Sequence, residues 1–202
     1  MIYLIITTSI NNKFGTYNDE RKERYLYAIS ETLKVVSCKT IIVENNGKRD
    51  TYLDQFKSEN VDVYYTDNNK YNFTSKGVNE MLDVKEVIRV YDIKDDDIII
   101  KLTGRYRLLS PLFLNEINEK YDAFVKFYGV TTLKFEEYDC VLGCYAIRVN
   151  YLKLFNHLSM NNYKSAEIAF ARYVLLSGAR VHKINQLDVE CSFSEDLRKL
   201  VV

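Results

Sequence analysis

The sequence predicts an α/β fold in which a mainly parallel central sheet carries helices on both faces. Four short apolar, β-branched runs recur at residues 2–8, 39–43, 61–66 and 98–102, and stretches with helix-like spacing or polarity separate them. Each run stops in a polar turn: Thr7-Thr8-Ser9, Glu44-Asn45-Asn46-Gly47, Asp67-Asn68-Asn69 and Thr103-Gly104-Arg105. Parallel strands need crossovers, and a strand-helix alternation supplies them.

Taking the elements in order, the first strand leads through a polar loop to Asn18-Asp19-Glu20, a charged helix start followed by Leu26, Ile29, Leu33 and Val36 at helical spacing. Arg21 and Arg24 fall in the first two turns of that helix. The second strand ends at Glu44, a modest helix is expected over residues 50–58, and the third strand covers residues 61–66. Val78, Met81, Leu82 and Ile88 give a helix over about residues 74–91. The fourth strand, Asp97-Ile98-Ile99-Ile100-Lys101-Leu102, runs into Thr103-Gly104-Arg105-Tyr106, a turn able to present backbone amides and a guanidinium to an anion.

The second half has a different texture. Ser110-Pro111 opens a short helix, residues 121–128 are strand-like, and residues 130–139 form a loop carrying Glu136, Glu137 and Asp139. A strand over residues 140–149, a helix over 150–158, and a helix opened by Ser165-Ala166-Glu167 with Ile168, Ala171, Val174 and Leu175 inward come next. Residues 180–190 read as a final edge strand and residues 193–202 as a tail with a helical turn.

Composition bounds the function. At 202 residues and 47% hydrophobic content the chain fits one domain, with 1–109 and 110–202 as its halves. Lys plus Arg and Asp plus Glu both total 28, so there is no basic field for sequence-independent nucleic-acid binding. One proline and seven glycines leave no linker candidate. The apolar N-terminal run lacks a basic flank and is far shorter than the roughly 20 residues of a membrane span, so a cytoplasmic protein without a transmembrane segment is expected. Period two puts Cys140 and Cys144 on one strand face, and the four cysteines read as buried thiols. His157 and His182 stand far apart with no acid partner fixed, which disfavours a Ser/His/Asp hydrolase. Glycine fingerprints of dinucleotide or P-loop sites are absent from the sequence.

In sheets of this kind ligands bind beyond the carboxyl ends of the strands, where Thr8, Glu44, Asp67 and Thr103 should converge. The strand ending in Thr7-Thr8, the helix start with Arg21 and Arg24, Val43-Glu44-Asn45-Asn46, Lys76-Gly77-Val78-Asn79-Glu80 and Ile100-Lys101-Leu102-Thr103-Gly104-Arg105-Tyr106 together resemble GT-A fold nucleotide-sugar glycosyltransferases, especially small ones from surface-polysaccharide pathways and large DNA viruses. Ser165-Ala166-Glu167 resembles the helix start that carries the base in inverting members. The resemblance implies a GT-A-like domain with a nucleotide-sugar half, a smaller mixed acceptor-side region, a nucleoside-diphosphate sugar donor and a glycan or other hydroxyl acceptor. It implies donor binding by Thr7, Thr8, Arg21, Arg24, Glu44, Asn46, Lys76, Thr103, Gly104 and Arg105, with the nucleotide base stacked or hydrogen-bonded among Thr7, Thr8, Glu44 and Asn46. Glu167 is the expected general base, kept ionised by its helix dipole, with Asp139 and Glu137 in reserve.

One departure matters. Members that use Mn²⁺ or Mg²⁺ carry Asp-x-Asp after the fourth strand, where this chain has Thr103-Gly104-Arg105. Asp95-Asp96-Asp97 precedes the strand, at the opposite edge of the sheet, and reads as a solvated turn. No metal ligand is therefore assigned and no cofactor is required on this reading; Mn²⁺ or Mg²⁺ stays open as an alternative, should a carboxylate from the second half fold over to replace the missing pair. The alternatives are a sugar-phosphate nucleotidyltransferase and a non-catalytic sugar-nucleotide or glycan binding module.

Overall fold

The computed structural model describes residues 1–11, 18–71, 73–127, 138–163, 165–193 and 198–202. In chain order the elements are β1 (Ile2–Thr8), α1 (Asn18–Leu33), β2 (Lys39–Glu44), β3 (Val61–Tyr65), α2 (Lys76–Val90), β4 (Ile98–Thr103), β5 (Arg107–Leu108) and α3 (Leu112–Glu116). There follow β6 (Ala123–Val125), β7 (Cys144–Arg148), α4 (Val149–Leu154), α5 (Ala166–Leu176), β8 (Val181–Lys183), β9 (Val189–Ser192) and β10 (Lys199–Val201). A seven-stranded sheet runs in the order β3-β2-β1-β4-β7-β6-β8, and only β7 is antiparallel to its neighbours. A small antiparallel sheet, β10-β9-β5, stands beside it.

All six residues of β4 are buried, as expected for a central strand covered on both faces. Its alternation decides what each face carries. Ile99 packs toward α2 and α5 with Ile5, Val78, Val84 and Phe170, whereas Ile98, Ile100 and Leu102 pack toward α1 and the small sheet with Tyr25, Ile29 and Val189. By the same period Lys101 and Thr103 share the α2 side with Ile99.

Several sequence expectations shift. Residues 50–58 hold a 3-10 turn, Asp54–Phe56, in place of a helix. The buried stripe of α5 is Ala166, Ala169, Phe170, Ala171 and Val174, so Ile168 and Leu175 lie at its margins. Residues 180–190 split between the edge strand β8 and the small sheet's β9, and the tail pairs with β9 as strand β10. Cys140 and Cys144 do not share a face: the chain turns at Leu142-Gly143, placing Cys140 in the α2-side core and Cys144 in the other. All four thiols are unpaired. Asp97 is not solvated but buried, accepting from Lys94 N–H at 2.9 Å and from the Met1 ammonium at 2.5 Å. His182 sits 2.9 Å from Glu116 and stacks on Tyr121 at 4.7 Å, a structural role. Among the described residues no helix is long and apolar enough to cross a membrane.

Candidate active site at the carboxyl edge of the parallel sheet

Strand register brings the expected tips together. Thr7 pairs with Thr103 and Thr8 with Glu44, and Thr66 N–H donates to the Glu44 carbonyl at 2.9 Å. Just past β4, Gly104 N–H donates to the Thr7 carbonyl at 2.8 Å. A side chain has no room there: a Cβ on Gly104 would lie 2.6 Å from Thr8 Cγ2 and 2.9 Å from the Thr7 carbonyl. The glycine lets the Thr103-Gly104-Arg105 turn press onto the end of β1.

Glu44 is engaged within the fold through its carboxylate. It is fully buried, and five donors converge on its carboxylate: Ile10 N–H at 3.1 Å, Asn46 N–H at 3.2 Å, Asn46 Nδ2 at 2.7 Å, Thr8 Oγ1 at 2.9 Å and the Tyr52 hydroxyl at 2.9 Å. A carboxylate offers about four lone-pair sites, so these donors exhaust it. Glu44 therefore knits the turns after β1 and β2, and Asn46, which also accepts from Asn69 at 2.7 Å, is bound into the same knot. A second knot forms on Asp83 of α2, which accepts from Asn45 at 3.0 Å, Thr66 at 3.0 Å and Asn68 at 2.9 Å. Burial pushes the Asp83 carboxyl up to about 7 despite those three donors, because none carries a charge.

The arginines divide. Arg21 is buried and donates to the Tyr25 hydroxyl at 3.4 Å, within the α1-side core. Arg24 and Arg105 instead meet on Ser192 at the end of β9: Arg24 donates to its hydroxyl, and Arg105 Nε donates to its carbonyl at 2.6 Å. The Arg105 guanidinium lies 5.5 Å from the Tyr106 ring centre, and its two terminal nitrogens make no hydrogen bond among the described residues. Both arginines line a pocket of about 340 Å³ together with Glu20, Glu23, Glu190 and Lys199. Lys76 opens α2, on the other face of the sheet and one turn before Glu80.

Across the β4 tip lies the acidic side. The Ser165 hydroxyl caps α5 by accepting from Ile168 N–H at 3.1 Å, which sets Glu167 in the first turn. Burial pushes the Glu167 carboxyl up, and the charges of Asp139 and Glu80 add to the effect, against the lowering by hydrogen bonds at the helix start. Asp139, the reserve base, is fully buried and accepts from Cys140 N–H on Oδ1 at 2.9 Å, and its charge acts on Glu167. Glu137 lies outside the described residues. Thr7 Oγ1 is buried with no hydrogen-bond partner among the described residues, an open polar group at the β1 tip.

Sequence reasoning passed over Lys101, Glu80, Asp83 and Ser192 as site residues. A lysine inside a β-branched strand was the readable signal, since a buried ammonium demands an anionic partner; here the partner is Glu80 of α2. Ser192 gave no local signal, because it enters the site only through the small sheet.

The turn after β4 offers a hydroxyl, a glycine and a guanidinium where paired carboxylates would suit a divalent cation, and Glu80 beside it is held by Lys101 through one oxygen.

No family model matches the sequence, and no curated protein matches it either. Solved structures do match in fold. A cytidylyltransferase from Leptospira borgpetersenii superposes with a TM-score of 0.56 at 11% identity, over 93% of this chain and 77% of that one. A mannosyltransferase from Pyrobaculum calidifontis, solved with GDP-Man and Mn²⁺, gives 0.57 at 8% identity, over 91% and 54%. A glycosyltransferase involved in glycosylation of the major capsid of PBCV-1 gives 0.51 at 10% identity, over 92% and 83%. The chain thus has a GT-A-like α/β fold.

Proposed function

We propose that the protein is a glycosyltransferase that moves a sugar from a nucleoside-diphosphate sugar to a hydroxyl of a glycan or other acceptor, with inversion. The observation that carries this reading is the pair Arg24 and Arg105, both anchored on Ser192 at the end of β9, with Glu167 presented from the other half of the chain. Arg105 is tethered through Nε alone, which leaves the fork of its terminal nitrogens for the diphosphate as negative charge grows on the leaving group. Glu167 takes the proton of the acceptor hydroxyl; a carboxyl raised toward the working pH is a stronger base for that step. On this reading the guanidinium does what a divalent ion does in metal-using relatives, and turnover needs no metal. Four unpaired cysteines suit a reducing compartment such as the cytoplasm.

A thermal-shift screen over nucleoside-diphosphate sugars, with and without Mn²⁺, tests donor and metal dependence together. Stabilisation by at least one donor, unchanged by Mn²⁺, is expected; stabilisation only with Mn²⁺ would overturn metal independence. The likeness to a cytidylyltransferase favours a second reading, nucleotidyl transfer to a sugar phosphate, which would release pyrophosphate.

A further inference from the structure

Glu80 stands on α2 beside the tip of β4, and its two carboxylate oxygens have different surroundings. Oε2 is pinned, because it accepts from the Lys101 ammonium and, at 3.1 Å, from the Thr103 hydroxyl. Lys101 is itself locked: it is 2% exposed, and its remaining protons reach Thr103 Oγ1 at 2.6 Å and the Leu142 carbonyl at 3.3 Å. Oε1 accepts no hydrogen bond among the described residues, and the Glu80 side chain is 26% exposed. Oε1 is therefore open to a donor from outside the fold, while Oε2 is held within it.

The position of Glu80 gives that open oxygen a purpose. Thr103, which it accepts from, lies two residues before Arg105. Gly77, one turn before Glu80, packs so closely on α5 that a Cβ there would lie 2.5 Å from Ala166 Cβ, and Glu167 is the next residue. Glu80 is thus flanked by the arginine turn on one side and by the start of the base-bearing helix on the other. In a sugar transfer the moving group spans that interval, from leaving phosphate to acceptor. Resting on the glycosyltransferase reading, we propose that Glu80 recognises the donor sugar, its Oε1 accepting a hydrogen bond from one sugar hydroxyl while Lys101 acts as a positioning residue that fixes the carboxylate. Burial pushes the Glu80 carboxyl up, but Lys101 and Arg105 together outweigh it and hold the group below the usual carboxylate range, so it is a charged acceptor.

Titration calorimetry of the full chain tests this. The probes are UDP-glucose, dTDP-glucose and GDP-mannose, their nucleoside diphosphates, and the monodeoxy analogues of whichever sugar donor binds best. With wild-type protein, removal of one particular hydroxyl should weaken binding about tenfold or more, the scale of a hydrogen bond to a charged group. Glu80→Gln should bind the nucleoside diphosphate as wild type does, yet bind the parent donor and that deoxy analogue with nearly equal affinity. Should every deoxy analogue bind wild type within about twofold of the parent, or Glu80→Gln keep the wild-type discrimination, the proposal falls while the transferase reading stands. If wild type binds neither the donors nor the nucleoside diphosphates, the transferase reading fails and takes this proposal with it. The wild-type arm decides even if the variant does not fold.

Discussion

At the scale of single residues, Arg105 and Glu167 separate into two measurable roles. Because Arg105 is anchored through one nitrogen, its removal should act on turnover far more than on folding. Arg105→Ala should lose about 100-fold in donor turnover, or about 3 kcal/mol of transition-state stabilisation, in steady-state assays. Arg105→Lys keeps the charge but not the fork and should stay impaired; wild-type turnover by Arg105→Ala would remove its role. In the proposed role Glu167 would take the proton only when ionised, and its carboxyl is raised above the ordinary value of 4.5, so the acid limb of the rate profile should lie above that value. Glu167→Gln should abolish transfer and leave donor binding intact, while an acid limb at the ordinary carboxylate value would count against this base. The sequence pointed to both residues through local context, a turn after a strand and a capped helix start. The hydrogen-bond network on Glu44 was not legible, because five donors drawn from three segments of the chain are invisible until those segments meet.

Elements carry a second set of consequences. The β4 tip can approach β1 only through Gly104, so Gly104→Ala should cost about 1–3 kcal/mol in chemical denaturation and displace the arginine turn. An unchanged midpoint would show that the turn has slack. Asp83 ties the turns after β2 and β3 to α2, with a folded-state value of about 7 against an ordinary 3.8. Its contribution to stability is complete below about 3.8, where folded and unfolded chains both hold the proton. It is lost as pH rises toward 7, since the folded chain holds a proton that the unfolded chain has released. Unfolding free energies of wild type and Asp83→Asn should therefore diverge more in favour of wild type at about pH 4 than at about pH 8; a pH-independent difference would contradict the burial argument. The strands β1 to β4 were legible because hydrophobic runs and turn residues are local properties. The helix expected over residues 50–58 was not formed, its polarity satisfied by a 3-10 turn and by the contacts of Tyr52 and Asp54. The tail strand β10 was missed because its partner, β9, exists only in the tertiary fold.

For the whole molecule, the parallel half followed from strand-helix alternation, while the antiparallel insertion of β7 and the small sheet did not. Those two features carry groups of the candidate site. The turn before β7 carries Asp139, and β9 anchors Arg24 and Arg105 on Ser192. Glycosyl and nucleotidyl transfer share this architecture and differ in the bond that breaks. The direct measurement is phosphorus NMR of products after incubation of the protein, without added metal, with its best-binding nucleoside-diphosphate sugar and a mixture of glycan acceptors. Release of the nucleoside diphosphate, lost in Arg105→Ala, is the result expected. Nucleoside diphosphate released at the same rate by wild type and Arg105→Ala, or no turnover of the donor alongside pyrophosphate release from a nucleoside triphosphate and a sugar phosphate, would contradict the account.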